Sequence, residues 1–337
     1  MVKAIEALAG LQTQAPNPPY VGLWTRLEGF ERGALQAALI KRRVVRLALM
    51  RATLHLVSAR DALAWRTLLT PVLERGVQAS RGKALAGLTQ AEVAATARPL
   101  LAAAPLNGAQ LGLALQRSWP DRPADALAQA ARAQLALAQL PPAGLWDEHR
   151  SAPLGLLDDW LKRPLATDTP ADALVLRYLA AFGPASPRDA MVWSGLTGLG
   201  AVFERLRPRL KTFRDEQGRE LFDLPRAPRP AAQTPAPIRF LPEWDNLLLS
   251  HDDRSRVLAP AHKARVFTNN GIIRATMLAD GFVAAHWRIE RDGASATLCI
   301  SPLRTLDRAE RDEARGEGLR LLGFVAPDAT RSTVRFA

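Results

Sequence analysis

Cysteine is all but missing from this chain: Cys299 is the single one in 337 residues, which excludes an internal disulfide framework and a cysteine-built metal site. Lysine is scarce too. Only Lys3, Lys41, Lys83, Lys162, Lys211 and Lys263 occur, so nearly all of the 45 basic side chains are arginine. The histidines are His55, His149, His251, His262 and His286, with no pair at ligand spacing, so no metal ion and no cofactor are expected. No stretch approaches ~20 uncharged apolar residues, and the opening Met1-Val2-Lys3-Ala4-Ile5-Glu6 has no apolar signal-peptide run. The expectation is a protein of the reducing cytoplasm with no membrane contact.

What is present is ordinary globular material in unusual charge balance. At 48% hydrophobic and 23% charged residues the chain can bury ample core, and its length suits two or three domains. The net charge is +12. A planar guanidinium fork matches phosphate, so arginine carrying most of that charge favours nucleic acid as partner; a GC-rich genome, which inflates Arg, Ala, Pro and Gly together, is the competing explanation.

Near the start, Val2, Ile5, Leu8, Ala9 and Leu11 recur at helical spacing, and Pro16 disfavours helical geometry at Ala15. Gln12 and Gln14 are therefore expected to close a helix. Their amides offer acceptor oxygens and donor hydrogens but take up no proton near neutral pH, so together they could orient a water or a polarised sugar without acting as a base. Ordinary solvation at a helix end is the plainer alternative.

Further along, one order of elements recurs. Over residues 19–58, short helices lead into a basic segment, Lys41, Arg42, Arg43, Arg46 and Arg51, and then into the alternating Thr53-Leu54-His55-Leu56-Val57. Helix, basic segment and strand is the order of a winged helix, although solvated arginines on an exposed helix face fit the segment equally well. A helix opening at Ser58 or Asp61 is expected to run through 59–85. In 88–147, Thr89 and Glu92 form a capping box, helices follow from Asn107 and over 123–134, and Leu135–Leu140 reads as a strand turning at Pro-Pro-Ala-Gly into Leu145-Trp146. In 170–224 a helix over 171–182, a helix capped at Ser186 with Pro187 first, a helix ending at Leu206 and a hairpin about Asp215–Gly218 repeat the order. Prolines mark 225–237 as a linker. Beyond it, 238–249, 272–279, 282–290 and 294–302 alternate like strands, Thr305–Leu322 is an amphipathic helix, and Thr333–Phe336 could return as an edge strand. The expected fold is mainly α with β, an α+β chain: winged helix 1 over 1–86, winged helix 2 over 87–169, winged helix 3 over 170–224, a Pro-rich linker over 225–237 and a β-rich domain over 238–337.

Several long motifs then point one way: Leu11-Gln12-Thr13-Gln14-Ala15; Arg42-Arg43-Val44-Val45-Arg46 leading to Met50-Arg51-Ala52-Thr53-Leu54-His55-Leu56-Val57; Trp193-Ser194-Gly195-Leu196; Leu241-Pro242-Glu243-Trp244-Asp245-Asn246-Leu247-Leu248-Leu249-Ser250; and Leu278-Ala279-Asp280-Gly281. Over nearly its whole length the chain resembles the bacterial tandem winged-helix DNA glycosylases of the azinomycin-resistance type, which remove alkylated purines and unhook interstrand crosslinks. The resemblance implies a C-shaped monomer that holds double-stranded DNA in a basic channel and acts on an alkylated purine or a crosslink, near the nucleoid, in some relatives as antibiotic self-resistance.

The family's motif is Gln-x-Gln in one branch and Gln-x-Asp in the other, and Gln14 assigns this chain to the first. Gln12 and Gln14 are then expected to position water and to stabilise an oxocarbenium through their oxygens. Neutral amides need a leaving group that is already activated, such as cationic N7-alkylguanine, and unmodified guanine should be spared. No lysine Schiff base is implied. Arg42, Arg43, Arg46 and Arg51 are expected phosphate contacts, with affinity falling steeply in salt, and His55, Asp245 and Arg254 are expected to line the channel or to serve as structural polar groups. Only eleven residues precede Gln12, where relatives carry a further helical segment, so either the start codon is misplaced or the first winged helix is trimmed at its front. Two functions of other classes compete: a winged-helix transcription regulator that binds DNA without chemistry, and a resistance protein that sequesters an alkylating drug.

Overall fold

In the computed structural model, which describes residues 1–337, the chain opens with α1 (Val2–Ala7), β1 (Leu11–Gln12), α2 (Pro18–Trp24) and α3 (Arg32–Ile40). A hairpin of β2 (Val44–Ala48) and β3 (Leu54–Ser58) follows, then α4 (Ala59–Trp65), α5 (Thr70–Arg81), α6 (Gln90–Ala103), α7 (Gly108–Gln116) and α8 (Ala124–Gln134). Strands β4 (Leu137–Gln139) and β5 (Leu154–Leu156) lead to α9 (Leu157–Leu161), and three helices, α10 (Ala171–Phe182), α11 (Pro187–Ser194) and α12 (Leu199–Leu206), precede the hairpin of β6 (Lys211–Arg214) and β7 (Glu220–Asp223). The rest comprises β8 (Arg239–Leu241), α13 (Lys263–Val266), β9 (Thr276–Ala279), β10 (Phe282–Asp292), β11 (Ser295–Pro302), α14 (Arg308–Val325) and β12 (Arg331–Phe336). Residues 225–237 carry no helix or strand. No helix is long and apolar enough to cross a membrane.

The expected glutamine-bearing helix is not formed. α1 ends at Ala7, and Ala9 (φ 51°) and Gly10 (φ 91°) turn the backbone through left-handed conformations. A side chain at Gly10 would begin 2.6 Å from Val57 Cγ1, so glycine is what lets the chain pass this close to β3. Leu11 then pairs with Leu56 and Gln12 with His55, antiparallel. Burial of Leu11 against the hairpin outweighs the local helical spacing.

Met1–Asn17 and Glu31–Ala227 form one compact unit. Its sheet runs β1-β3-β2-β4-β5. Leu135–Leu140 was expected to turn back on Leu145-Trp146, but β4 pairs instead with β2 (Arg46 opposite Gln139) and with β5 (Leu137 opposite Leu156). Pro141 and Pro142 have no N–H to give a ladder, so the return strand waits until Leu154. The single helix expected over 59–85 is likewise two, since Pro71 fits only the first turn of α5. Elsewhere local signals hold: side chains of Thr89, Asn107 and Ser186 accept from the backbone N–H three residues on, and each is answered by a capping box. Leu47, Val57, Leu69, Val93, Leu111, Leu127 and Tyr178 share one core, in which Tyr178 packs 5.0 Å from Trp193.

The second unit joins Pro18–Phe30 to Pro228–Ala337. Its sheet runs β12-β11-β10-β9-β8, with β12 parallel to β11 and the other pairs antiparallel. α14, capped by Asp307, lays Ala314, Leu321 and Leu322 on the core, and Val21 of α2 enters the same cluster. The segment after α2 is tied down by Arg26, whose two Nη atoms donate to Asp245 Oδ2 and Oδ1 at 2.9 and 2.8 Å.

Candidate active site

The glutamine segment is held as an extended edge of the first unit's sheet. Beyond the Gln12–His55 pair, the Thr13 N–H donates to Leu54 O at 2.8 Å and its hydroxyl donates to Ala15 O at 3.0 Å. Thr13 is fully buried, and Arg46, itself 6% exposed, donates from Nη2 to Thr13 O at 3.0 Å. Arg46 therefore supports the motif from inside. Gly144 (φ 87°) lies so close to the Arg46 stem that no Cβ would fit between them.

The two glutamines occupy different environments. Gln12 is buried at 7% exposure, whereas Gln14 is exposed, makes no hydrogen bond within the chain, and opens on a cavity of about 320 Å³. The cavity is walled by α5 and α8, with Thr53, Leu54, Ser80, Arg81, Gln129 and Arg132 among its lining residues. Arg81 is paired with Asp125 at 3.0 Å. Arg132, half-buried, has no partner, and burial lowers its pKa, so an anion that replaced its lost hydration would be welcomed there. Arg66 sets that end of α8: almost fully buried, it donates to the carbonyls of Arg132, Ala133 and Leu135, and burial takes its pKa down to about 10.

Gln12 is engaged from below. Arg51 Nη2 donates to Gln12 Oε1 at 2.8 Å and lies 3.4 Å from His55 Nε2, while Arg51 Nη1 donates to the Trp193 carbonyl. His55, opposite Gln12 in the ladder and 1% exposed, has Nδ1 2.9 Å from Thr53 O. A carbonyl only accepts, so Nδ1 carries the hydrogen and Nε2 offers its lone pair toward the guanidinium. Burial, then the neighbouring Arg51 charge, drive the His55 pKa down to about 3 against the opposing Thr53 bond, and the ring stays neutral. Arg51 (φ 54°) and Ala52 (φ 57°) are both left-handed in the β2–β3 connection, which is closed by Leu49 N–H donating to Thr53 O at 3.0 Å.

The structure thus brings Gln12, Arg46, Arg51 and His55 together around one strand, with Gln14 beside them. Of the other arginines expected at phosphates, Arg42 lies over the Trp160 ring at 3.9 Å and donates to its carbonyl at 2.8 Å, and Arg43 is exposed with no partner. Asp245 and Arg254 belong to the second unit. There Asp245 is spent on Arg26 and on capping Leu247, while Arg254 donates to Leu248 O at 2.8 Å and lies 4.9 Å over Phe267. Sequence reasoning missed Arg132 and Arg66, which nothing distinguishes from the many other arginines until α8 is folded against α5.

A family model described as DNA glycosylase AlkZ-like matches residues 5–324. The fold is similar to that of the Streptomyces sahachiroi DNA glycosylase AlkZ, with a TM-score of 0.81 at 19% sequence identity, over 100% of this chain and 93% of that one. No curated protein matches the chain in sequence.

Proposed function

The chain belongs to the AlkZ-like DNA glycosylase family, and from that premise we propose that it hydrolyses the N-glycosidic bond of cationic N7-alkylated purines in duplex DNA, with Gln12 and Gln14 as the catalytic amides. The observation that carries this reading is the placement of the pair: two neutral amides, Gln12 on a braced strand and Gln14 just past its end, the latter opening without a partner on a cavity with a cationic wall. Water attacks C1′ of the sugar, the C1′–N9 bond breaks, the base departs with the bonding electrons, and the attacking water sheds its extra proton to bulk solvent. An N7-alkylated guanine leaves as a neutral molecule, so no acid is needed to protonate it; the amides together orient the water, and an amide oxygen eases the charge developing on the sugar. The cavity lining includes arginine but no lysine, which favours direct hydrolysis over a Schiff base and hence a monofunctional enzyme. The same chemistry at two linked N7 positions would unhook an interstrand crosslink. Arg43 and Arg132, whose guanidinium groups have no partner within the chain, are suited to DNA phosphates.

The test is base release from a duplex carrying one N7-methylguanine, scored by alkaline cleavage at the abasic site. Gln12→Ala and Gln14→Ala are each expected to lower single-turnover release by about 10²-fold or more while DNA binding persists. Tight binding by the wild type with no release would leave a DNA-binding protein without this chemistry.

A further inference from the structure

We propose that Arg51 is the positioning residue of this site: it holds the Gln12 amide by its oxygen, so that Gln14, and not Gln12, presents an acceptor oxygen to the reacting sugar. This rests on the glycosylase reading above and assigns the two glutamines unequal parts. The ends of an amide are alike in shape but opposite in polarity. A guanidinium has donors only, so the Gln12 atom 2.8 Å from Arg51 Nη2 is the oxygen on chemical grounds. An oxygen that already faces a cation is poorly placed to meet the positive charge of an oxocarbenium. Gln14, exposed on the cavity, has its oxygen available.

The surroundings are built to keep Arg51 where it is. Its left-handed backbone costs energy in a non-glycine residue and persists here inside a closed turn. Its other Nη atom is held by the carbonyl of Trp193 near the end of α11. The helix stops at Gly195 (φ 80°), where a Cβ would stand 3.3 Å from Arg51 N and Cα and 2.7 Å from Val72 Cγ1; glycine lets this turn come up against Arg51. The Trp193-Ser194-Gly195 motif thereby acquires a purpose. His55 completes the cradle as a neutral ring with its lone pair toward the guanidinium, and a proton there would set a second cation against the first.

Arg51→Gly suits the left-handed backbone and opens a guanidinium-sized gap, and Arg51→Lys keeps the charge without the fork. For each variant, single-turnover release from the N7-methylguanine duplex is measured with DNA affinity and its salt slope, with and without a low concentration of added guanidinium. Spectra of protein carrying ¹⁵N-glutamine follow the Gln12 side-chain amide. The expected result for Arg51→Gly is release lowered about 10²-fold with affinity and slope retained, a displaced Gln12 amide signal, and partial recovery of both with guanidinium. If Arg51→Gly does not fold, reduced release at unchanged affinity in Arg51→Lys supports the assignment and wild-type release there overturns it. Wild-type release in Arg51→Gly overturns it too, as does a salt slope lowered by about one, the mark of a phosphate ligand. A wild-type protein that releases no base defeats the glycosylase reading; an unmoved Gln12 signal in Arg51→Gly defeats the clamp independently.

Discussion

His55 is a histidine that the fold keeps uncharged, and that has a measurable price in acid. Its folded pKa of about 3 lies below the ordinary 6.5, chiefly because burial disfavours the cation and secondarily because Arg51 adjoins it. The unfolded chain therefore takes up a proton at pH values where the folded chain does not. Its contribution to stability is whole above about pH 6.5 and is lost as pH falls toward about 3, at up to roughly 1.4 kcal/mol per pH unit. Urea unfolding at a series of pH values should show a shallower loss over this window in His55→Asn than in the wild type. Equal slopes in the two proteins would place the acid sensitivity elsewhere. His55 was legible from the sequence as a strand residue, since Leu54–Val57 alternates; that its Nε2 meets a guanidinium was not, because Arg51 reaches it through a left-handed turn that no periodicity signals.

At the scale of elements, the turn at Ala9 and Gly10 is what converts a helix end into a strand edge. Gly10→Ala forces a side chain into a left-handed backbone and against Val57, and is expected to cost about 1–3 kcal/mol. Thermal unfolding checks the stability, and base release checks that Gln12 and Gln14 have moved with β1; a variant as stable and active as the wild type would show that the strand does not depend on this turn. Elements whose signals are local were readable in advance. The capping box at Thr89, the helix starts at Asn107 and Ser186 and the order of three helices and a hairpin over 171–223 needed no distant partner. The start of α1 has apolar spacing but no stop signal strong enough to outweigh it, and β4 has its partners in β2, more than eighty residues earlier, and in β5.

For the molecule as a whole, a charge of +12 predicts DNA affinity that falls linearly in log–log terms with salt. The structure divides the arginines behind that slope. Arg43→Ala is expected to lower the slope by about 0.9, as the loss of one phosphate contact does, whereas Arg46→Ala should leave the slope unchanged and destabilise the fold, because Arg46 is buried under Thr13. Fluorescence anisotropy over a salt series separates the two, and a reduced slope for Arg46→Ala would mean that its guanidinium reaches DNA after all. In the second unit, Asp245→Ala removes the carboxylate that Arg26 grips but leaves its guanidinium the Gly22 carbonyl and some solvent, and should cost about 1–3 kcal/mol, read by urea unfolding.

The sequence by itself determined the helix caps, the strand-rich composition after residue 238, the arginine excess and the Gln-x-Gln motif, because each is written in neighbouring residues or in composition. Tertiary structure alone decided that Gln12 lies in a strand with Gln14 just beyond it, that Arg46, Arg51 and His55 turn inward to brace the motif, and that Arg132 lines the same cavity as Gln14. The physical reason is that an arginine's role depends on what surrounds its guanidinium, and those neighbours come from residues far away in the chain.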